Sequence, residues 1–489
     1  MAKILTGIEP ALVWEYFEQI TQVPRPSKKE ERIAEFMVNW AKEQGFESQR
    51  DALGNVVVRK PASHGYENRT PVAIQGHLDM VAEKNSDVEF DFDNDPIQPY
   101  IDGDWIKARG TTLGADNGIG IAMGMAAMTA EGVKHPPIEL LCTLDEETGL
   151  TGAQQLGTDL LQAKIMINLD SEEDGAFTIG CAGGLNTAAS YAYKAGEAHP
   201  GSKAFKLSVK GLRGGHSGIE IHDGRANAAK VMTRLLWNLT EMFHISLSDF
   251  NSGNKHNAIP REAFATITVP EGSAVDFNKY VEEFNKTLQI EYRTKEPNLM
   301  ISAEAAGNVS RVMDAEFQKR LLMSFYVCPH GVMRMSPDIA GLVQTSTNFA
   351  IVETREAEVY VLTSQRSSVE SEKMHMGQMV KLAFELGGAV VTSGDGYPAW
   401  EPNVASPILN MAKGVFKSQY GHEPKIEAIH AGLECGLIGE KYPGMDMLSF
   451  GPNLKDVHSP DEMIQISSTQ RIWRLLLGIL ENIPEAPKA

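Results

Sequence analysis

The sequence predicts an α/β protein, with a mostly parallel sheet sandwiched by helices and a second, α+β domain inserted into it. Three observations carry this reading. Short apolar runs of strand composition alternate with helical segments, as in a parallel sheet covered on both faces. Several of these runs stop at a histidine or a carboxylate: VAIQGHLDMV at 72–81, IELLCTL before Asp145-Glu146-Glu147, and AKIMINL before Asp170. Between Cys181 and about Asp395 the order changes to β-α-β-β-α-β, the split βαβ arrangement of ferredoxin-like units. At 489 residues the chain is also too long for one ordinary core.

Taken in order, a first helix is expected over Glu9–Gln22. Ser27-Lys28-Lys29-Glu30 has the S-x-x-E form of a capping box. Behind it Ile33, Phe36, Met37 and Trp40 recur at helical spacing, so residues 27–44 are read as an amphipathic helix. Strands are expected at 55–59 and 72–76, then a polar, acidic loop at 87–99. Gly110–Ala130 is small and apolar on all sides, which suits a buried helix. Its glycines do not make a dinucleotide fingerprint, because Met123 stands where the third glycine belongs. Strands at 138–144, 163–169 and 446–450 complete the first domain, the last feeding the loop GPNLKDVHSPDE.

In the insertion, strands are expected at 205–211, 244–250, 264–270 and 298–303, with helices at 224–243 and 276–290. Strands near 347–352 and 358–364 and a helix at 369–386 suggest a second, less regular copy. The domains are accordingly 1–184 with 395–489, and an inserted lid at 185–394.

Composition narrows the function. The chain is 42% hydrophobic and 22% charged, as in ordinary globular proteins. A net charge of −19 argues against nucleic acid, which needs a basic footprint. No apolar run reaches the ~18–20 residues that span a bilayer, and the first residues lack a secretion signal, so no membrane partner and a cytoplasmic location are expected. Cys142, Cys181, Cys328 and Cys435 lack metal-finger spacing and read as buried thiols.

The chemistry concentrates at the strand ends. On an extended backbone His77 and Asp79 point to one face. That suits a metal ligand and a neighbour orienting it, although the pattern alone fits any polar strand end. His77, Glu146, Glu147 and Asp170 all follow strands of the type whose carboxyl ends bind ligands in such sheets. Asp116 falls where the buried helix begins, a place that also suits a plain N-cap. Asp79, Asp116, Glu146, Glu147 and Asp170 gathered together are five negative charges. Two like charges ~4 Å apart repel by ~4 kcal/mol at an effective dielectric of ~20. Such a cluster must take up protons, spread out or bind cations. Histidine and carboxylate donors without thiolates suit zinc, with manganese or cobalt as substitutes. Of the adjacent Glu146 and Glu147, one can ligate while the other takes a proton from a metal-activated water.

GHLDMV, LGADNGIG, DEETG, NLD and HSPDE, in this order, resemble the motifs of the M20 metallopeptidases, and the resemblance covers essentially the whole chain. The length, the large insertion, GLRGGHSGIEIHDGRANA and IHAGLECG are most similar to the family's aminoacyl-histidine dipeptidase branch. The resemblance implies a zinc-exopeptidase fold holding two Zn2+ per chain, with Mn2+ or Co2+ as substitutes. His77 and Asp170 would bind one ion, Glu147 and His458 the other, and Asp116 would bridge them, followed by a cis peptide bond to Asn117. Glu146 would be the general base, acting on a metal-bridging water, and Asp79 would orient His77. His216 matches a lid histidine that contacts the scissile carbonyl oxygen. Asn257, Arg366 and Gly432 match substrate-binding positions, Arg366 through the substrate carboxylate.

The implied activity is hydrolysis of Xaa-His dipeptides such as β-alanyl-histidine. An M20-type deacylase of N-acyl amino acids shares the same metal core. A non-catalytic metal- or peptide-binding protein is the reading from another class, and Glu146 speaks against it because a base is dispensable for binding. A homodimer is expected. The insertion is about twice the size of the single unit common in relatives, so His216 could act in its own subunit or in a partner's.

Overall fold

A computed structural model describes residues 4–394 and 396–486. Asp395, where the sequence reading returns to the first domain, lies outside the described residues. The chain divides into two compact units. One runs to Gly180 and resumes at Pro402–Ala428 and from Leu433 onward; the other is Cys181–Glu401 with Ile429–Gly432.

Among the described residues, the first unit is built on an eight-stranded sheet. Its order is Glu47–Arg50, Val56–Lys60, Ile138–Thr143, Val72–His77, Ile165–Asn168, Asp446–Ser449, Ala176–Cys181, Lys425–Ile429. The third to sixth strands are parallel, and the ladders on either side of them are antiparallel. The parallel strands read as continuous apolar runs because every residue in three of them is buried. Register pairs His77 with Thr143 and Gln75 with Asn168, so these strands end side by side. The residues just beyond, Leu78-Asp79, Leu144–Glu147 and Leu169-Asp170, therefore fall along one edge of the sheet.

The helix Ala115–Thr129 is buried almost throughout, as its composition predicts. Its N-cap, Gly114, has φ +69, a conformation that side chains avoid. The peptide bond Asp116–Asn117 is cis. Asn117 is wedged against Gly76, where a Cβ would collide with its amide, and Asn117 Nδ2 donates to Leu169 O at 2.7 Å.

One expectation fails. The second helix begins at Glu31, and its N-cap Glu30 makes no side-chain cap bond. Ser27 Oγ donates instead to Asp79 Oδ2 at 2.8 Å, and Glu30 Oε1 accepts from the backbone N–H groups of Lys28 and Asp145. A buried carboxylate is a stronger acceptor for Ser27 than a helix end in water. The capping-box pattern is present, but its side chains are drawn to the neighbouring strand ends.

A small antiparallel sheet, which the sequence does not announce, holds Pro99–Asp102, Trp105–Ala108, Leu454–Lys455 and Met463–Gln465. The last two strands pair with each other across the loop that carries His458. Met463–Gln465 also pairs with Trp105–Ala108, fixing where that loop begins and ends.

The second unit has an antiparallel sheet of nine strands among the described residues. Ser202–Lys210, Ala228–Phe243, Ser246–Ser252, Ala263–Pro270, Ala274–Glu291 and Met300–Ala305 form the expected β-α-β-β-α-β unit. A second unit of the same order is complete. It comprises Gly183–Ala192, Ala315–Val327, Val343–Thr354, Glu358–Ser367, Glu370–Leu386 and Val390–Ser393. The whole first copy lies between the first strand and the first helix of the second. Strand order within each copy mirrors that of the other, and they join where Ser252 pairs with Val352. A single apolar cluster runs under both, from Leu207 and Phe277 in one to Phe349 and Phe384 in the other.

Candidate metal centre and substrate groups

The edge of the first unit's sheet brings together all the residues that the sequence assigns to metal or base. Asp116 lies at its centre. Its Oδ1 is 3.0 Å from His77 Nε2, and its Oδ2 is 3.2 Å from His458 Nε2. Each imidazole nitrogen faces one further carboxylate: Asp170 Oδ1 at 3.4 Å from His77, and Glu147 Oε2 at 2.9 Å from His458. One carboxylate thus reaches two imidazoles, and a second carboxylate flanks each of them. Donor atoms of His77, Asp116 and Asp170 lie within 4.8 Å of one another, as do those of Asp116, Glu147 and His458. Donor atoms of His77, Glu146 and Glu147 meet the same limit.

Asp79 stands behind His77. The imidazole's Nδ1 lies 3.2 Å from Asp79 O and 3.4 Å from Asp79 Oδ1. That contact takes the ring's other nitrogen and leaves Nε2 for the centre. Asp79 also accepts from the N–H groups of Glu146 and Glu147, at 3.0 and 3.2 Å. A single buried side chain therefore orients both the histidine and the turn that carries the glutamates.

The electrostatics match this geometry. Burial raises Glu146 well above the usual carboxylate range, and the charges of Asp170, Glu434 and Glu147 add to it against the pull of His77. Burial likewise pushes Asp170 to about 6, His77 opposing. Burial also acts on Asp79, but hydrogen bonding and charge from His77 hold it down at about 2. Hydrogen bonds to Asp116 and Glu147 raise His458 to about 11. His77 is raised too, because Asp170 and Asp116 outweigh its burial.

The donor set fits divalent cations. Glu147 Oε1 is buried without a hydrogen-bond donor, which is costly for a carboxylate unless a cation meets it. Nitrogen and oxygen donors without sulfur suit zinc, manganese or cobalt.

Sequence reasoning missed several residues around this edge. Glu434 is buried beneath it, pushed by burial to about 7, and accepts from Gln75 Nε2 at 2.7 Å and Thr143 Oγ1 at 2.8 Å. Gln75 Oε1 accepts in turn from Asn168 Nδ2, so one polar chain links three strand ends. Arg25 and Glu462 grip the entry to the long helix. Glu462 stood in view inside HSPDE, but Arg25 carries no sequence signal.

The second unit holds the four residues read as substrate groups. His216 Nδ1 accepts from the N–H groups of Gly218 and Ile219, both at 3.2 Å. Those bonds place the proton of the neutral ring on Nε2 and make that nitrogen a donor. Burial, with the charges of Arg366 and His256, lowers the pKa of His216 and keeps it neutral. Arg366 is buried, and its Nη1 donates to Tyr397 Oη at 2.6 Å, while its Nε has no acceptor. Tyr397, not foreseen, also lies against Gly432, where a Cβ would come within 2.8 Å of its ring. Asn257 is exposed, and its carbonyl accepts from Ser217 N at 2.9 Å.

His430, also in this unit, is buried and bonded to Ser346 Oγ at 2.7 Å. Burial and the charge of Arg366 lower it to about 3, against 6.5 for an ordinary histidine. As the pH falls through 6.5 the unfolded chain takes up this proton and the native one does not, so stability is lost toward acid. At 1.36 kcal/mol per unit, acidification to pH 5 should cost roughly 2 kcal/mol through this group. Urea denaturation at pH 7 and pH 5 is expected to show that extra loss in the wild type and not in His430→Gln. Equal losses would remove His430 as the cause.

Comparison with known proteins is consistent with this fold. The chain is 43% identical over 480 residues to the cytosol non-specific dipeptidase of Escherichia coli (strain K12), covering 98% of this chain and 99% of that protein. It superposes on the crystal structure of aminoacylhistidine dipeptidase from Vibrio alginolyticus with a TM-score of 0.94 at 42% identity, covering 99% and 98% of the two chains. Aminopeptidase PepT from Bacillus cereus shares the fold alone, with a TM-score of 0.56 at 15% identity over 96% and 98%. Residues 73–482 match the model of peptidase family M20/M25/M40, and the chain belongs to that family.

Proposed function

We propose that this protein is a dipeptidase dependent on two divalent cations, zinc by preference, and that it hydrolyses Xaa-His dipeptides among its substrates. The observation that carries the reading is Asp116, whose two oxygens face two different imidazoles. His77 and Asp170 would hold one cation and Glu147 and His458 the other, with Asp116 shared between them. When bound, the cations offset the carboxylate charge and lower the pKa of a water at the site to about 7.

The chain's own groups do the rest. Glu146 takes the proton of the attacking water and passes it to the leaving amine, and its buried surroundings raise its basicity for that role. Asp79 fixes the ring of His77 through Nδ1. In the second unit, the inserted lid, His216 offers its Nε2–H to the oxyanion that develops on the scissile carbonyl. Arg366, held by Tyr397, binds the substrate carboxylate. Asn257 and Gly432 complete the substrate contacts.

Two relatives support dipeptides over N-acyl amino acids: one carries the name aminoacylhistidine dipeptidase, the other non-specific dipeptidase. The test is metal content together with hydrolysis of Gly-His, β-Ala-His, an unrelated dipeptide and N-acetyl-histidine. Two metals per chain with cleavage of the histidine dipeptides is the expected result. Cleavage of N-acetyl-histidine alone would make the protein a deacylase.

A further inference from the structure

The metal-facing side chains of the first unit come from separate segments. Two buried charged residues outside the ligand set run between three of these: the end of the Val72–His77 strand, the entry to the Ala115–Thr129 helix, and the loop of His458. Arg25 Nη1 donates to Leu78 O at 2.8 Å and Asp79 O at 2.7 Å, and its Nη2 donates to Gly114 O. On the amide side of the same turn, Glu462 accepts from four successive backbone N–H groups. Its Oε2 takes Leu113 at 2.7 Å and Gly114 at 2.9 Å, and its Oε1 takes Ala115 at 2.8 Å and Asp116 at 3.3 Å. Both side chains are 2% exposed.

This arrangement is expensive for a mere helix start. Burying a carboxylate and a guanidinium carries a large desolvation penalty for each ion. A serine or aspartate at an N-cap commonly satisfies an amide of the first turn at far less cost. Gly114 offers no such side chain, and the cap comes instead from the loop of His458. Its reach ties that loop to Asp116, as Arg25 ties the Asp116 turn to the segment after His77. His458 itself sits at φ +61, in a left-handed conformation that its loop must impose.

We infer that Arg25 and Glu462 are positioning residues of the metal centre, setting the separation of His77, Asp116 and His458 and hence the spacing of the two cations. The inference rests on the two-metal reading above. A glutamine at 462 presents one acceptor oxygen and one NH2 group, so two of the four amides lose their partner. A lysine at 25 keeps the charge but cannot fork to both strand-end carbonyls and Gly114 at once.

The test titrates metal-free protein with Co2+, following the cobalt absorption bands, the spin-coupled EPR signal and chelator competition. Glu462→Gln and Arg25→Lys are compared with wild type, and melting temperatures are recorded alongside. The control is Asp446→Asn, which removes a carboxylate that also ties a helix start, through Ser406 Oγ at 2.6 Å and Ile408 N at 2.9 Å, at the other end of its strand. In Glu462→Gln and Arg25→Lys the second Co2+ should bind 10–100-fold more weakly. The coupling signal should be changed or lost, and the Asp446 variant should keep both properties. Wild-type affinity and spectrum in both positioning variants, or losses no larger than in the control, would overturn the inference and leave the two-metal reading standing. Fewer than two Co2+ in the wild type would overturn that reading and the inference with it.

Discussion

Glu146→Gln is expected to keep both metals and lose turnover, with kcat falling by roughly 10^2–10^4-fold. The glutamine has the shape of the native side chain but cannot take a proton. Glu146 is absent from the pairs that hold Asp116 between the two histidines, so metal content should be unchanged. Its backbone N–H donates to Asp79, a bond the substitution preserves, so the turn should keep its place. The measurement is kcat and KM on Gly-His with metal analysis of the same sample. A variant that retains both metals and full turnover would show that the proton goes elsewhere. A variant that loses metal would make Glu146 a ligand and shift the base to another carboxylate.

Asp116→Ala should have the larger effect on the metals. Without the central carboxylate, His77 keeps only Asp170 opposite Nε2, and His458 keeps only Glu147. Each half-site then has two donors where a catalytic zinc site commonly has three. At most one tightly held metal per chain is expected after gel filtration. Hydrolysis should fall by more than the 10–100-fold typical of losing a group behind the ligands. Asp116→Asn leaves one oxygen for one side only, so it should separate the half-sites, retaining one ion better than the other. Two tightly bound metals in Asp116→Ala would end the bridging assignment.

His77, Glu146, Glu147 and Asp170 were legible because a strand end is a local event, whereas Asp116, at a helix start, was read as a ligand only through the family resemblance. An apolar run that stops at His77, Glu146 or Asp170 announces both the strand and the change of chemistry beyond it. The groups that hold the edge in place are harder to read. Glu462 and Arg25 bond to backbone amides and carbonyls, which every sequence possesses, so no pattern of partner side chains marks them. Ser27 and Glu30 carried a valid capping signal that tertiary partners overrode. In the second unit, the strand Gly183–Ala192 is rich in small residues, GGLNTAASYA, and lacks the β-branched and aromatic enrichment that marked the others. With that strand, the helix Ala315–Val327 and the strand Val390–Ser393 unrecognised, the outer β-α-β-β-α-β copy looked irregular, although every one of its elements is present.

The nesting of one copy inside the other also orders the protein's assembly in time. The inner copy is contiguous in sequence and can pair its strands as soon as it is synthesised. The outer copy's first strand must wait for a partner: Thr187 bonds to Gln365, 178 positions later. Closing so long a loop without its inner structure would be slow, because distant pairings carry the entropy of everything between them. A folded inner copy shortens that loop to a compact spacer and presents an edge, at Ser252, on which Val343–Thr354 can begin to add. Birth order on the ribosome therefore matches the order in which the sheet can grow.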